Sequence, residues 1–204
     1  MVSGVALGFT IVFQVVFAYR LVAMPEAAGG ALLAMLDAPP LTAVGLMLAG
    51  VAMTGFVEEA AFRGYMQRPI EDRHGPVVAV ILVAVLFAAV HGPPPVLLPL
   101  FVLGALGWGV YARLAGSTVP GMIVHALVDA VVFAWIMVRP EVVTDLLQAD
   151  AMADGFDRTT VVAGVSALLT ATLMVVGFIW MARTRTVPAA RQESEIGPAT
   201  TVDR

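Results

Sequence analysis

Apolar residues run through this chain in long blocks rather than in short periodic clusters. Six blocks approach the ~20 residues needed to cross a bilayer as helix: roughly 2–24, 41–67, 76–91, 96–114, 118–138 and 159–182. Between them lie short polar stretches rich in Pro, Gly and charge, and none of the blocks shows the strict alternation of a half-buried strand. The pattern predicts an all-α, polytopic membrane helical bundle of about six transmembrane spans. The first block lacks a basic leader and a small-residue cleavage site, so it reads as a retained span rather than a signal peptide.

Within this frame the chain divides into 1–40 (a span and an acidic loop), 41–138 (a membrane core), 139–182 (a second acidic loop and the last span) and 183–204 (a polar tail expected to be disordered and cytoplasmic). Composition agrees: 60% of the 204 residues are hydrophobic and 13% charged, and the mean hydropathy is +0.93, against about a quarter charged in a soluble domain. The eleven basic residues are all arginine and form no basic stripe, which argues against a nucleic-acid partner. The absence of cysteine excludes disulfides, thiolate metal sites and a cysteine nucleophile.

Arginines mark alternate connections. Arg68 and Arg73 fall in a loop expected over 68–75, Arg113 in the turn 113–117, and Arg183, Arg185 and Arg191 in the tail. The other connections are acidic, with Glu26 and Asp37 in one and Glu141, Asp145, Asp150, Asp154 and Asp157 in another; Arg139 and Arg158 run against the trend. The positive-inside rule then expects a multi-pass protein of the plasma membrane with both termini cytoplasmic.

A few ionisable groups interrupt the apolar blocks: Glu58, Glu59, Arg63, His91, His125 and Asp129. An ionised group at mid-membrane costs about 3 kcal/mol, so such residues pair, line water-filled space or do chemistry. Glu59 and Arg63 are i and i+4 and meet on one helix face. Glu58 is turned about 100° away, which leaves it a poorly solvated carboxylate without a local counter-ion, a candidate general base. The alternative is that both glutamates bridge neighbouring helices.

His91 ends a 16-residue apolar run from Pro76, about 24 Å of helix at 1.5 Å per residue, short of the ~30 Å hydrocarbon core. Three prolines follow at once, so the helix is expected to stop inside the membrane with His91 at its end, either in a site or capping a free carbonyl. His125 and Asp129 are again i and i+4, a pair that either stitches helices together or orients an imidazole for chemistry. His74 is expected in a solvated turn. Two histidines and a free carboxylate suit hydrolysis; they also suit a His₂Glu metal site, although no H-E-x-x-H motif is present. One difficulty is depth. With upright helices His91 lies about 14 Å further from the Arg-rich side than His125, which tilt, or a helix 76–91 that begins outside the core, must absorb. A shared site also requires His91 within about 10 Å of Glu58.

The segments "EEAAFR" (58–63), "FAAVH" (87–91) and "HALVD" (125–129) resemble, in order and spacing, the EExxxR, FxxxH and Hxxx(N/D) motifs of the CPBP (Abi) family. These are intramembrane proteases related to type II CAAX-prenyl endopeptidase and to bacteriocin-processing and immunity proteins. The resemblance covers roughly residues 45–135. It implies endopeptidase action on a membrane-embedded or membrane-associated protein or peptide at a cytoplasm-facing cavity. Glu58 falls on the catalytic glutamate, with Glu59 and Arg63 beside it; His91 would help Glu58 activate water, and His125 and Asp129 would stabilise the oxyanion. Asp129 stands where better-understood members have Asn. The family has been described both as metal-dependent and as metal-independent, so a divalent metal such as zinc, if used, would fall to Glu58, His91 and His125. The chain is shorter than the eight-span prenyl endopeptidases, so prenylated substrates are not implied. A non-catalytic immunity-like protein that binds a toxin or partner in the bilayer is the main alternative, with a transporter or proton path and a bis-histidine haem protein behind it.

Overall fold

The computed structural model describes residues 2–185, the side chain of Arg185 excepted. Most of the expected tail, 186–204, lies outside the described residues. Ten α-helices are present, and no strand occurs among the described residues: α1 Val2–Leu21, α2 Glu26–Leu36, α3 Pro40–Ala52, α4 Arg68–His74, α5 Pro76–Val90, α6 Leu98–Ala115, α7 Val119–Val138, α8 Glu141–Gln148, α9 Ala151–Asp154 and α10 Arg158–Arg185. A π-helical segment, Met53–Gln67, joins α3 to α4, and a 3₁₀ turn, Pro95–Leu97, leads into α6. By length and composition five helices can cross a membrane: Val2–Leu21, Pro40–His74, Pro95–Ala115, Val119–Val138 and Arg158–Thr184. The sixth expected span, α5, is a helix of 15 residues, the shortfall that its sequence already showed.

Local chemistry sets the breaks. Proline sits in the first helical positions of α3, α4, α5, α6 and α7, where its missing N–H costs nothing. Gly75 at φ +82°, Gly92 at +59° and Gly116 at +65° supply the reversals between helices. Two expected loops are helical instead. Residues 68–74 continue the long helix through α4, with Pro69 at the passage from π-helical to α-helical turns. The acidic connections contain α2, α8 and α9, with α2 packed on α8 and Met24 N–H donating to Leu146 O at 2.9 Å.

Small residues let the helices close in. Ser3, Gly4, Leu7 and Gly8 form the buried face of α1, which runs along α10, with Ser3 against Gly177. One apolar layer gathers Leu7, Trp108, Tyr111 and Val124; a second gathers Ala18, Tyr19, Leu97 and Leu146. The two ends of the bundle differ in charge. At one end Arg20, the tip of α1, pairs with Asp157 at 2.6 Å beside Asp145, Asp150 and Asp154. At the other lie Arg68, Arg113 and the close of α10.

Candidate active site

The site is built where the π-helical segment meets α5, α6 and α7. Contact with α7 is close because Gly55 has no side chain: a Cβ there would lie 2.5 Å from Ala126 Cβ. π-helical turns recur at functional sites, and this one carries Glu58, Glu59, Arg63 and Gln67.

Glu59 and Arg63 are both fully buried and stand 3.4 Å apart, as their spacing predicts. Glu59 has a second partner that the sequence did not reveal: His125 Nδ1 lies 3.1 Å from its Oε1. His125 Nε2 is 3.5 Å from Asp129 Oδ2. Each ring nitrogen of His125 thus faces a carboxylate oxygen. Trp108 stacks on His125 at 4.6 Å between ring centroids and 17° between planes, which fixes the imidazole.

Glu58 is separate from this group. Its side chain is 20% exposed, and its Oε2 is 3.9 Å from His91 Nε2, well inside the limit that a shared site sets. His91 Nδ1 lies 2.7 Å from Phe87 O. A carbonyl only accepts, so Nδ1 carries a hydrogen and Nε2 is the nitrogen turned toward Glu58. His91 thus both caps its helix and faces the carboxylate. Glu58 Oε2 has no hydrogen-bond partner among the described residues. When the ring is neutral the two facing atoms are both acceptors and leave a place suited to a donor such as water. Phe87 ties the two groups together, its ring 4.3 Å from that of His91 at a tilt of 37° and 4.2 Å under the Arg63 guanidinium.

The depth difficulty resolves through α4. Arg63 donates to Ala105 O at 3.5 Å and Gln67 to Gly109 O at 3.1 Å, and Arg68 reaches Gly116 O at 3.5 Å. Arg68 therefore stands level with the α6–α7 turn. The seven residues of α4, about 10 Å of helix, and the start of α5 project past that turn. His74, at the tip, is exposed as expected.

Glu58, His91, His125 and Asp129 all line one cavity of about 460 Å³. Its remaining wall is largely apolar and rises through α1, α6 and α7 to Met24, Leu32, Val142 and Leu146 beneath α2 and α8. The cavity therefore extends toward the acidic end. Toward the Arg-rich face the buried side chains of Arg63 and Gln67 stand between this cavity and the surface. Sequence reasoning also passed over Gln14 and Trp108, which line the cavity from α1 and α6. Being uncharged, they gave no signal among apolar neighbours.

As a metal set, Glu58, His91 and His125 do not converge. Both nitrogens of His125 face carboxylates, and among the described residues no three His, Asp or Glu side chains are grouped to hold an ion. No step is routed through a metal here.

A multi-helix membrane bundle with a carboxylate–imidazole cluster lining an apolar cavity has the general makings of a membrane-embedded hydrolase. Comparison with protein families agrees. Residues 40–131, a little under half of the chain, match the family model described as type II CAAX prenyl endopeptidase Rce1-like. The matched stretch is thus similar to a family of membrane peptidases, and it contains Glu58, Glu59, Arg63, His91, His125 and Asp129. No curated protein and no solved structure matches the chain.

Proposed function

We propose that the protein is an intramembrane endopeptidase that hydrolyses a peptide bond of a membrane-associated protein or peptide, with Glu58 as general base. The observation that carries this reading is the facing pair of acceptors, Glu58 Oε2 and His91 Nε2, 3.9 Å apart in a cavity that also takes His125 and Asp129. A water donating to both is held with its oxygen lone pair free for a carbonyl carbon. As it attacks, its proton passes to Glu58, which then delivers it to the leaving amine nitrogen. The oxyanion that forms needs a donor. A hydrogen on His125 Nε2, 3.5 Å from Asp129 Oδ2, would meet that need, so Asp129 in place of Asn is compatible with the chemistry. Glu59 and Arg63 act as positioning residues, fixing His125 from its other nitrogen. The apolar wall of the cavity suits a hydrophobic stretch of substrate.

The test compares cleavage of a candidate membrane substrate by the native protein and by Glu58→Gln in the same membranes. Loss of the general base lowers the rate by about 10²–10⁴. Equal cleavage by both removes Glu58 from the mechanism, and retained protection against a toxin by the same variant favours a non-catalytic immunity role. The Arg-rich face is proposed to be cytoplasmic under the charge rule.

A further inference from the structure

Buried polar atoms without hydrogen bonds are few in a folded protein, and each calls for an explanation. Here five occur among the described residues: Glu58 Oε2, Glu59 Oε2, Arg63 Nε and Nη1 (the latter only ion-paired, with Glu59), and Gln67 Oε1. Glu58 Oε2 belongs to the facing pair described above. The other four lie on Glu59, Arg63 and Gln67, three residues spaced i, i+4, i+8 along the π-helical segment and 0%, 1% and 2% exposed. The next step of the same spacing is Glu71, which is paired with Arg113 at the surface. A polar stripe thus descends from the site to the Arg-rich end inside an otherwise apolar bundle.

Glycines flank the stripe closely. A Cβ on Gly121 would lie 3.2 Å from Glu59 Oε2. A Cβ on Gly109 would lie 3.1 Å from both Gln67 Oε1 and Val80 Cγ1. Each of these two oxygens therefore faces the bare backbone of a glycine rather than a side chain that could donate to it. At its outer end the stripe opens into a vestibule of about 590 Å³ lined by Arg63, Gln67, Arg68, Glu71 and Arg113.

We propose that this stripe is a hydrated path carrying water, and protons with it, from the Arg-rich face to Glu59 and the catalytic cavity. Peptide hydrolysis consumes one water per bond, while the cavity wall on the other side is apolar and takes up the substrate. Water and substrate then reach the site from opposite faces. That use of the path rests on the hydrolytic reading of the site; the path itself does not.

Single cysteines test it, because the chain has none of its own. Gln67→Cys probes the outer stripe and Gly121→Cys the inner; His74→Cys is the exposed control on the Arg-rich face and Ala60→Cys the lipid-facing control. Silver ion, small enough to follow water, is added to one face of oriented proteoliposomes, and its reaction is read by loss of later maleimide labelling. From the Arg-rich face, positions 67 and 121 should react within about tenfold of position 74 and at least about a hundredfold faster than position 60, since only a hydrated thiol ionises. Reaction at 121 only from the opposite face, or at the rate of position 60, overturns the path. If Gly121→Cys does not fold, Arg63→Cys, at the middle of the stripe and lining the vestibule, is the inner probe under the same criteria. This readout is independent of the Glu58→Gln cleavage test, so either can fail without the other.

Discussion

Arg63 is the residue on which the most contacts converge: it meets Glu59, lies over Phe87, and reaches the backbone of α6. Removing one partner of a buried pair costs about 3–5 kcal/mol because the other charge stays buried. Arg63→Ala should destabilise the protein by that order in denaturant unfolding from detergent. Adding Glu59→Gln should restore part of the loss, and a double variant as unstable as the sum of the singles would show that the pair is not coupled. At this scale the sequence was informative wherever a residue was charged and its partner local. Glu59 with Arg63 and His125 with Asp129 follow from i, i+4 spacing alone. That His125 turns its other nitrogen to Glu59, rather than to Glu58, depends on how α7 meets the π-helical segment, and spacing within one helix carries no such information. Gln67 was detectable in principle, as the next member of a polar stripe begun by Glu59 and Arg63.

At the scale of elements, apolar block length located every long helix, and the prolines after His91 marked the early stop of α5. Polar stretches were misread as loops because charge was equated with irregular backbone. Residues 68–74 are helical, and α2 and α8 cover the acidic end with their apolar faces inward. What separates α4 from α5 is one residue, Gly75, at φ +82° and ψ +166° with open space around it. That region is almost closed to other residues, at a cost of about 1–3 kcal/mol. Gly75→Ala should lose stability of that order without any clash. Gly30, helical in α2 and equally open, should respond oppositely: Gly30→Ala gains about 0.5–1 kcal/mol. Chemical unfolding of the two variants reads both signs, and a neutral Gly75→Ala would refute the backbone argument.

For the whole molecule, arginine placement correctly separated the two ends, and the expected fold class holds. The direction of the cavity could not be read, since it depends on which interhelical space Arg63 and Gln67 fill. The acidic end is tied to α1 through Asp157, which accepts from the Thr160 hydroxyl at 2.6 Å and the Thr160 N–H at 2.7 Å and pairs with Arg20. These contacts, Thr160 foremost, lower its pKa from 3.8 to about 2. A depressed folded-state pKa means the contribution is full above the unfolded value and fades as pH falls through the folded one. Asp157→Asn should therefore melt below the native protein near neutral pH, and the gap should close between about pH 4 and pH 2. A gap unchanged at low pH would assign the difference to something other than this carboxylate.

The cavity has one further consequence. All six motif residues fall inside the family-matched stretch 40–131, yet much of the wall facing them comes from outside it: Ile11, Gln14 and Val15 of α1, Leu32 of α2, and Val142 and Leu146 of α8. The proposed reacting groups and much of the wall proposed to meet the substrate are therefore borne by separate lengths of chain. On that reading selection acting on one need not disturb the other, and a lineage of such proteins is free to keep its chemistry while its outer helices diverge.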